Sequence, residues 1–131
     1  MSKQFKHKVK IYYEDTDAGG VVYYANYLKY LERARSEAIY SLGFTNTNLQ
    51  KDHDSLIIVK SCNIEYKKPA RFEDELEIIS SISSKTKTSF TMLQIIKKKE
   101  EIISEATVQL VTVNKEGKPI KIPEILNNLL N

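Results

Sequence analysis

One stretch of this 131-residue chain repeats its apolar residues at helical spacing, and most of the chain beyond it repeats them every second residue. Tyr27, Leu31, Ala34, Ala38 and Leu42 recur at intervals of four, three, four and four, with Lys29, Glu32, Arg33, Ser36 and Glu37 on the other side. That stripe predicts an amphipathic helix from about Asn26 to Leu42, about 25 Å long at 1.5 Å per residue, with Gly43 placed to end it. A half-buried strand precedes it, because Phe5, Val9, Ile11 and Tyr13 alternate with Lys6, Lys8, Lys10 and Tyr12. After it the period is two. Cys62, Ile64 and Tyr66 alternate with Ser61, Asn63 and Glu65, and Leu76, Ile78 and Ile82 with Glu77 and Ser81. Phe90, Met92 and Ile96 form one face of the next strand, and Ala106, Val108 and Leu110 one face of the last. The order β-α-β-β-β-β is that of an α+β protein in which an antiparallel sheet wraps around one long helix, a single domain over residues 1–131.

The connections fit that pattern. A polar loop runs from Thr45 to Ser55, and turns fall at Lys67-Lys68-Pro69-Ala70, Ser84 to Lys87, Lys97 to Glu101 and Asn114-Lys115-Glu116-Gly117. Pro123 is placed to open a short C-terminal helix carrying Ile125, Leu126, Leu129 and Leu130. A sheet of this kind has free edges and a second face, so a homodimer or homotetramer is expected.

Composition removes several classes. A formal charge of +3, with no basic helix and no interleaving of aromatic and basic residues, gives no nucleic-acid footprint, but it mildly favours anionic ligands. Cys62 stands alone in an alternating apolar strand and reads as a core residue. With His7 and His53 far apart in sequence, no zinc-ligand pattern exists. Met1 to Lys8 lacks the apolar stretch of a signal peptide, and no segment approaches the roughly 20 apolar residues of a membrane helix. The expected location is cytoplasmic and not integral to a membrane.

The chemistry-bearing stretch is Tyr13-Glu14-Asp15-Thr16-Asp17-Ala18-Gly19-Gly20-Val21-Val22-Tyr23-Tyr24-Ala25-Asn26-Tyr27. Acids end a strand, two glycines bend the chain, and a helix begins. A carboxylate beside a helix N-terminus can act on a carbonyl whose oxygen the free N–H groups hold. Taken alone, Asp17 also suits a turn-former or a helix cap, and Asn26 a cap. Asp15 and Asp17 form an Asp-x-Asp pair, but no further ligands accompany them, so no metal is expected.

Through Tyr13, Asp15, Asp17, Gly20, Val21, Val22, Tyr23 and Tyr27, this segment resembles the active-site segment of the 4-hydroxybenzoyl-CoA thioesterase and YbgC-type acyl-CoA thioesterase families of the hotdog fold. A second stretch is similar at Tyr66, Pro69, Ala70, Asp74 and Leu76, and Glu32-Arg33-Ala34-Arg35 resembles the Glu-Arg-Ala-Arg of YbgC-type proteins. The resemblance covers about residues 9 to 113 and implies a hotdog thioesterase domain that hydrolyses a coenzyme A thioester to a free acid and CoA. It implies Asp17 as nucleophile or general base and the backbone N–H of Tyr24 as oxyanion donor. Losing one such donor costs about 2.7–4 kcal/mol of barrier. Tyr24 stands where many YbgC-type sequences have histidine, so no side-chain role carries over there, whereas the backbone donor does.

Lys85 and Lys87 occupy the turn where the hydroxybenzoyl-CoA enzymes place basic residues on the coenzyme A phosphates, and Asn26 is a further substrate-binding candidate. A related hotdog group places its catalytic glutamate on the central helix, but Glu32 reads first as one half of an intrahelical or intersubunit ion pair. No cofactor is implied, since coenzyme A is part of the substrate. Two other readings compete. One is a protein that binds acyl carrier protein or assists the Tol–Pal system with little turnover. The other is a hotdog dehydratase, which the absence of histidine from the central helix disfavours.

Overall fold

The computed structural model describes residues 3–131. Met1 and Ser2 of the N-terminal segment, and the side chain of Leu129 in the C-terminal helix, lie outside the described residues. Strand β1 spans Gln4–Lys10, helix α1 Asn26–Ser41 and helix α2 Asn46–His53. Strands β2 (Leu56–Tyr66), β3 (Glu75–Lys85), β4 (Ser89–Lys98) and β5 (Glu101–Val113) come next, and helix α3 (Glu124–Leu129) is last. The strands form one antiparallel sheet in the order β1-β3-β4-β5-β2.

Helix α1 lies where its stripe predicts. Tyr27, Tyr30, Leu31, Ala34, Ala38 and Ile39 are buried, and they face Ile78, Ile82, Phe90, Met92, Ile96, Ala106, Val108 and Leu110 on the inner side of the sheet. A fully buried Leu or Ile such as Leu31 or Ile78 contributes roughly 1.5–3 kcal/mol, so this layer is the main stabilising element. The helix ends on Leu42, and Gly43 takes the left-handed conformation at φ 93°.

Three features differ from the sequence-based expectations, each for a physical reason. Tyr13 is not the end of a strand. It opens a single 3-10 turn, Tyr13–Asp15, and is 79% exposed, because the chain leaves the sheet after Ile11. The polar loop is α2, started by Thr45, whose side chain accepts from Asn48 N at 3.0 Å, and held by one buried residue, Leu49. A single apolar anchor leaves no stripe to read. Cys62 is exposed rather than in the core. It sits opposite Val108 on the inner face, but β2 is an edge strand and α1 packs mainly towards β1 and β3, which leaves Val59 and Cys62 exposed while Ile57 and Ile64 still pack against the core. Within the protomer Glu32 forms no ion pair among the described residues, and its Oε2 accepts from Ser36 Oγ at 3.3 Å.

The two sheet edges differ. β1 carries exposed Lys6, Lys8 and Lys10, charges that discourage strand addition. β2 is eleven residues long, and its inner face presents Ile57, Val59, Cys62, Ile64 and Tyr66, with Val59 47% and Tyr66 44% exposed. Among the described residues no helix is long and apolar enough to cross a membrane.

Candidate active site

The acidic, glycine-containing stretch folds into a tight turn clamped at its base by a bridge between Thr16 and Val22. Asp17 N donates to Val21 O at 2.9 Å, and Gly20 N donates to Asp17 O at 3.0 Å, with Gly20 at φ 80°. That φ strains any residue with a Cβ, so glycine is required by the backbone. The Asp17 carboxylate is exposed at the tip. Its Oδ1 accepts from Gly19 N at 2.8 Å, while Oδ2 has no donor among the described residues.

Asp15 is the hub of the segment's hydrogen bonds. Its Oδ2 accepts from Tyr12 N at 2.8 Å, and its backbone oxygen accepts from Tyr23 N at 3.0 Å and Asn26 Nδ2 at 2.9 Å. Asn26 therefore neither caps the helix nor projects its amide to a ligand. Its side chain is committed to the turn, and Ala25 occupies the cap position. Beneath this hub lies Tyr30, whose buried hydroxyl makes no hydrogen bond of normal geometry among the described residues. Burial first, and the nearby Asp15 carboxylate second, push its pKa upward, so it stays protonated.

The start of α1 is tightened into i→i+3 bonds. Asn26 N donates to Tyr23 O at 2.9 Å, Tyr27 N to Tyr24 O at 3.2 Å and Leu28 N to Ala25 O at 3.2 Å. Two donors are left over. Among the described residues neither Tyr24 N–H nor Ala25 N–H has an acceptor. The Tyr24 N–H is the one that the resemblance implies. Ala25 was not legible from the sequence, because its availability depends on where the helix first closes.

The two similar sequence stretches meet here. Val22 N donates to Ala70 O at 2.8 Å, Ala70 N donates to Tyr27 Oη at 3.1 Å, and Val21 bridges to Arg71. Tyr66 Oη donates to Tyr24 O at 3.3 Å, and the rings of Tyr24 and Tyr66 stand edge to face at 6.1 Å. Tyr66–Ala70 is thus the wall that fixes the helix start. Burial raises the pKa of Tyr27 and of Tyr66, so both remain donors or acceptors as neutral phenols. The Tyr24 ring is 62% exposed.

Lys85 is not a free turn lysine. It ends β3, and its Nζ donates to Asn127 O and Asn127 Oδ1, each at 3.1 Å, and to Asn131 Oδ1. An ammonium at the C-terminal end of α3 meets carbonyls that lack helical partners, which explains the capture. Lys87 is exposed, and its carbonyl holds Ile122 N at 2.8 Å. The structure therefore gathers Asp17, Tyr24 and the scaffolding Asn26 at one turn, and leaves Lys85 and Lys87 elsewhere.

Arg35, from the same helix, points into the core. Its Nη1 donates to Gln94 Oε1 at 3.0 Å, and Gln94 Nε2 donates to Leu31 O at 3.1 Å and Ser80 Oγ at 3.0 Å. Burial lowers the Arg35 pKa without discharging it.

The family model of the thioesterase superfamily matches residues 19–104. The chain is similar to the acyl-CoA thioesterase YbgC of Haemophilus influenzae, at 36% identity over 92% of this chain and 89% of the relative. It is similar to the acyl-CoA thioester hydrolase YbgC of Escherichia coli O157:H7, at 38% identity over 92% of this chain and 90% of the relative. Among solved structures it matches a probable thioesterase from Bartonella henselae with a TM-score of 0.88 and 34% identity, covering 92% of this chain and all of that one. It also matches a 4-hydroxybenzoyl-CoA thioesterase variant complexed with 4-hydroxybenzoyl-CoA. There the TM-score is 0.92 at 19% identity, over 98% of this chain and 99% of that one, a likeness of fold.

Proposed function

The chain belongs to the thioesterase superfamily and has its hotdog fold, and from that premise we propose how its own residues carry out its activity as an acyl-CoA thioesterase. The observation that carries the proposal is the pairing of unused groups at one turn. An exposed carboxylate oxygen of Asp17 has no donor among the described residues, and the N–H groups of Tyr24 and Ala25 at the start of α1 are free. They belong to one segment, whose two arms are joined by the Thr16–Val22 bridge and by the 3.0 Å bond from Tyr23 N to Asp15 O.

The thioester carbonyl oxygen is received by the Tyr24 N–H, with Ala25 N–H as a second donor. Both are held by a backbone that does not need to reorganise as negative charge develops. Asp17 acts from the turn above. It removes a proton from water while the water oxygen bonds to the carbonyl carbon, or its own oxygen forms that bond and water then cleaves the anhydride. In either route the C–S bond breaks with its electron pair on sulfur, the coenzyme A thiolate takes a proton, and the acyl group leaves as a carboxylate. Every proton and electron pair is accounted for by water, Asp17 and the substrate, so the route calls for no cofactor. The cytoplasm is the compartment this reading implies, and acyl carrier protein remains a candidate acyl donor in place of CoA.

Purified protein offered a panel of acyl-CoAs should release free thiol with saturation kinetics. Absence of thiol release from short-chain, long-chain and aromatic thioesters alike would contradict the assignment.

The site is incomplete as a monomer, which is the reason to propose a homodimer. Asp17 and Tyr24 lie on the surface, and a strip of β2 with Val59, Cys62 and Tyr66 exposed ends at Tyr66 beside Tyr24. A second copy laid against the β2 edge covers this strip and walls the turn from water. Light scattering at micromolar concentration should give a dimer or a multiple of it, and Val59→Asp should shift the mass towards the monomer. A stable 15.1 kDa species for the parent chain would refute the assembly.

A further inference from the structure

The C-terminal half of α1 does not pack flush on the sheet. Between them lies a cavity of about 160 Å³, walled on the sheet side by apolar residues alone, Ile57, Ile82, Phe90 and Met92 among them. An apolar cavity of about this size stays dry and accepts a hydrocarbon as large as benzene. Its polar lining is confined to the helical side, where it holds one cation, Arg35. Arg35 lies nine residues past Asn26, about 14 Å along the helix axis. None of the lining residues belongs to the turn of Asp17 and Tyr24, so the cavity is separate from the candidate catalytic groups.

The Arg35 guanidinium is half-buried and short of partners. Among the described residues its only acceptor is the neutral Gln94 Oε1, at 3.0 Å from Nη1, and no carboxylate lies within ion-pair distance. Glu32, one turn earlier at the same cavity, is exposed and accepts from Ser36 Oγ instead. Buried charges are ordinarily paired, and a guanidinium matches a carboxylate with two parallel hydrogen bonds. We propose that the cavity is a second ligand site, which takes a free monocarboxylic acid of about six to eight carbons. The carboxylate lies on Arg35 and the tail against Ile57, Ile82 and Met92. Both halves of the occupant follow from the lining: one cation calls for one anionic head, and the apolar sheet side offers a tail no hydrogen bond. The site goes beyond thioester hydrolysis, because its ligand is an acid already free of any thiol.

The test is calorimetric titration of the whole protein with octanoate, octanol and butyrate, which needs no turnover and so stands apart from the thioesterase reading. Octanoate should bind once per chain and about tenfold or more tighter than octanol, the scale of a hydrogen bond between charged groups. Butyrate, four methylenes shorter, should bind at least about tenfold more weakly than octanoate. Arg35→Gln removes the charge and keeps an amide donor for Gln94, so octanoate should fall to the affinity of octanol. Ile57→Phe fills the cavity and leaves Arg35 in place, so both ligands should weaken at least about tenfold. Thermal melts check that the two variants fold, and the comparison of octanoate with octanol requires the parent alone. No octanoate binding, as when a second copy of the chain fills the cavity, would overturn the proposal. So would equal affinities of the parent for octanoate and octanol, or octanoate binding unchanged in both variants.

Discussion

Replacing Asp17 with asparagine lowers kcat for acyl-CoA hydrolysis at least about 100-fold and leaves the unfolding transition where it was. The size of the loss reflects the role, since a positioned acid or base contributes typically about 10²–10⁴-fold. The unchanged stability reflects geometry. The amide oxygen of the replacement can still accept from Gly19 N–H, the one side-chain bond Asp17 makes, and the turn is otherwise closed by backbone bonds at Val21 and Gly20. An isosteric change that removes only the charge therefore separates chemistry from folding. Asp15→Asn should behave differently, because Asp15 holds Tyr12 N and sits over the buried Tyr30 hydroxyl. Its effect should divide between stability and rate. Steady-state kinetics beside a thermal melt measure both. Parent-like kcat in a well-folded Asp17→Asn variant would remove the residue from its assigned role.

Gln94→Leu destabilises the protein by about 2–4 kcal/mol, although it completes an apolar stripe and makes the core more hydrophobic. Gln94 is fully buried between Met92 and Ile96, and it satisfies three partners at once: the Arg35 guanidinium, the Leu31 carbonyl and the Ser80 hydroxyl. Leucine fills similar space but leaves all three unpaired, one of them a half-buried cation, and an orphaned buried group costs more than a hydrogen bond is worth. Because Leu31 and Arg35 both belong to α1, the loss also loosens the helix that presents Tyr24 and Ala25. Urea unfolding at fixed protein concentration, needed because a dimer's stability depends on it, should show a clearly lower midpoint. An equal or higher midpoint would mean that the three partners find water or one another.

Gln94 also illustrates what could and could not be read from the chain. Phe90, Met92 and Ile96 mark the inner face at period two, and the missing member of that series is Gln94. The break was visible, but its meaning was not. Its partners lie 14 to 63 residues away and come together only when α1 crosses the sheet. The same contrast holds elsewhere. The α1 stripe and the strands β3 to β5 were legible because each buries a complete face, so local period and final burial agree. Cys62 misled because β2 alternates like a core strand while lying at a sheet edge where the middle of the strand stays exposed. Lys85 misled because its partners belong to the C-terminal helix, about forty residues on in sequence and adjacent in space. At the site, Asp17 and the Tyr24 N–H were singled out by the resemblance of the Tyr13–Tyr27 segment, whereas spacing alone left Asp17 equally suited to a turn or a cap. The supporting role of Tyr66 and Ala70 needed the fold to bring a second segment against the first.

Whether Asp17 and the start of α1 act on one carbonyl is tested most directly by the crystal structure of the Asp17→Asn variant soaked with an acyl-CoA it no longer cleaves. The thioester carbonyl oxygen should lie about 2.7–3.1 Å from Tyr24 N, with the carboxamide at position 17 facing the carbonyl carbon. A bound thioester whose carbonyl oxygen is turned away from both Tyr24 N and Ala25 N, or lies out of reach of position 17, would contradict the shared role.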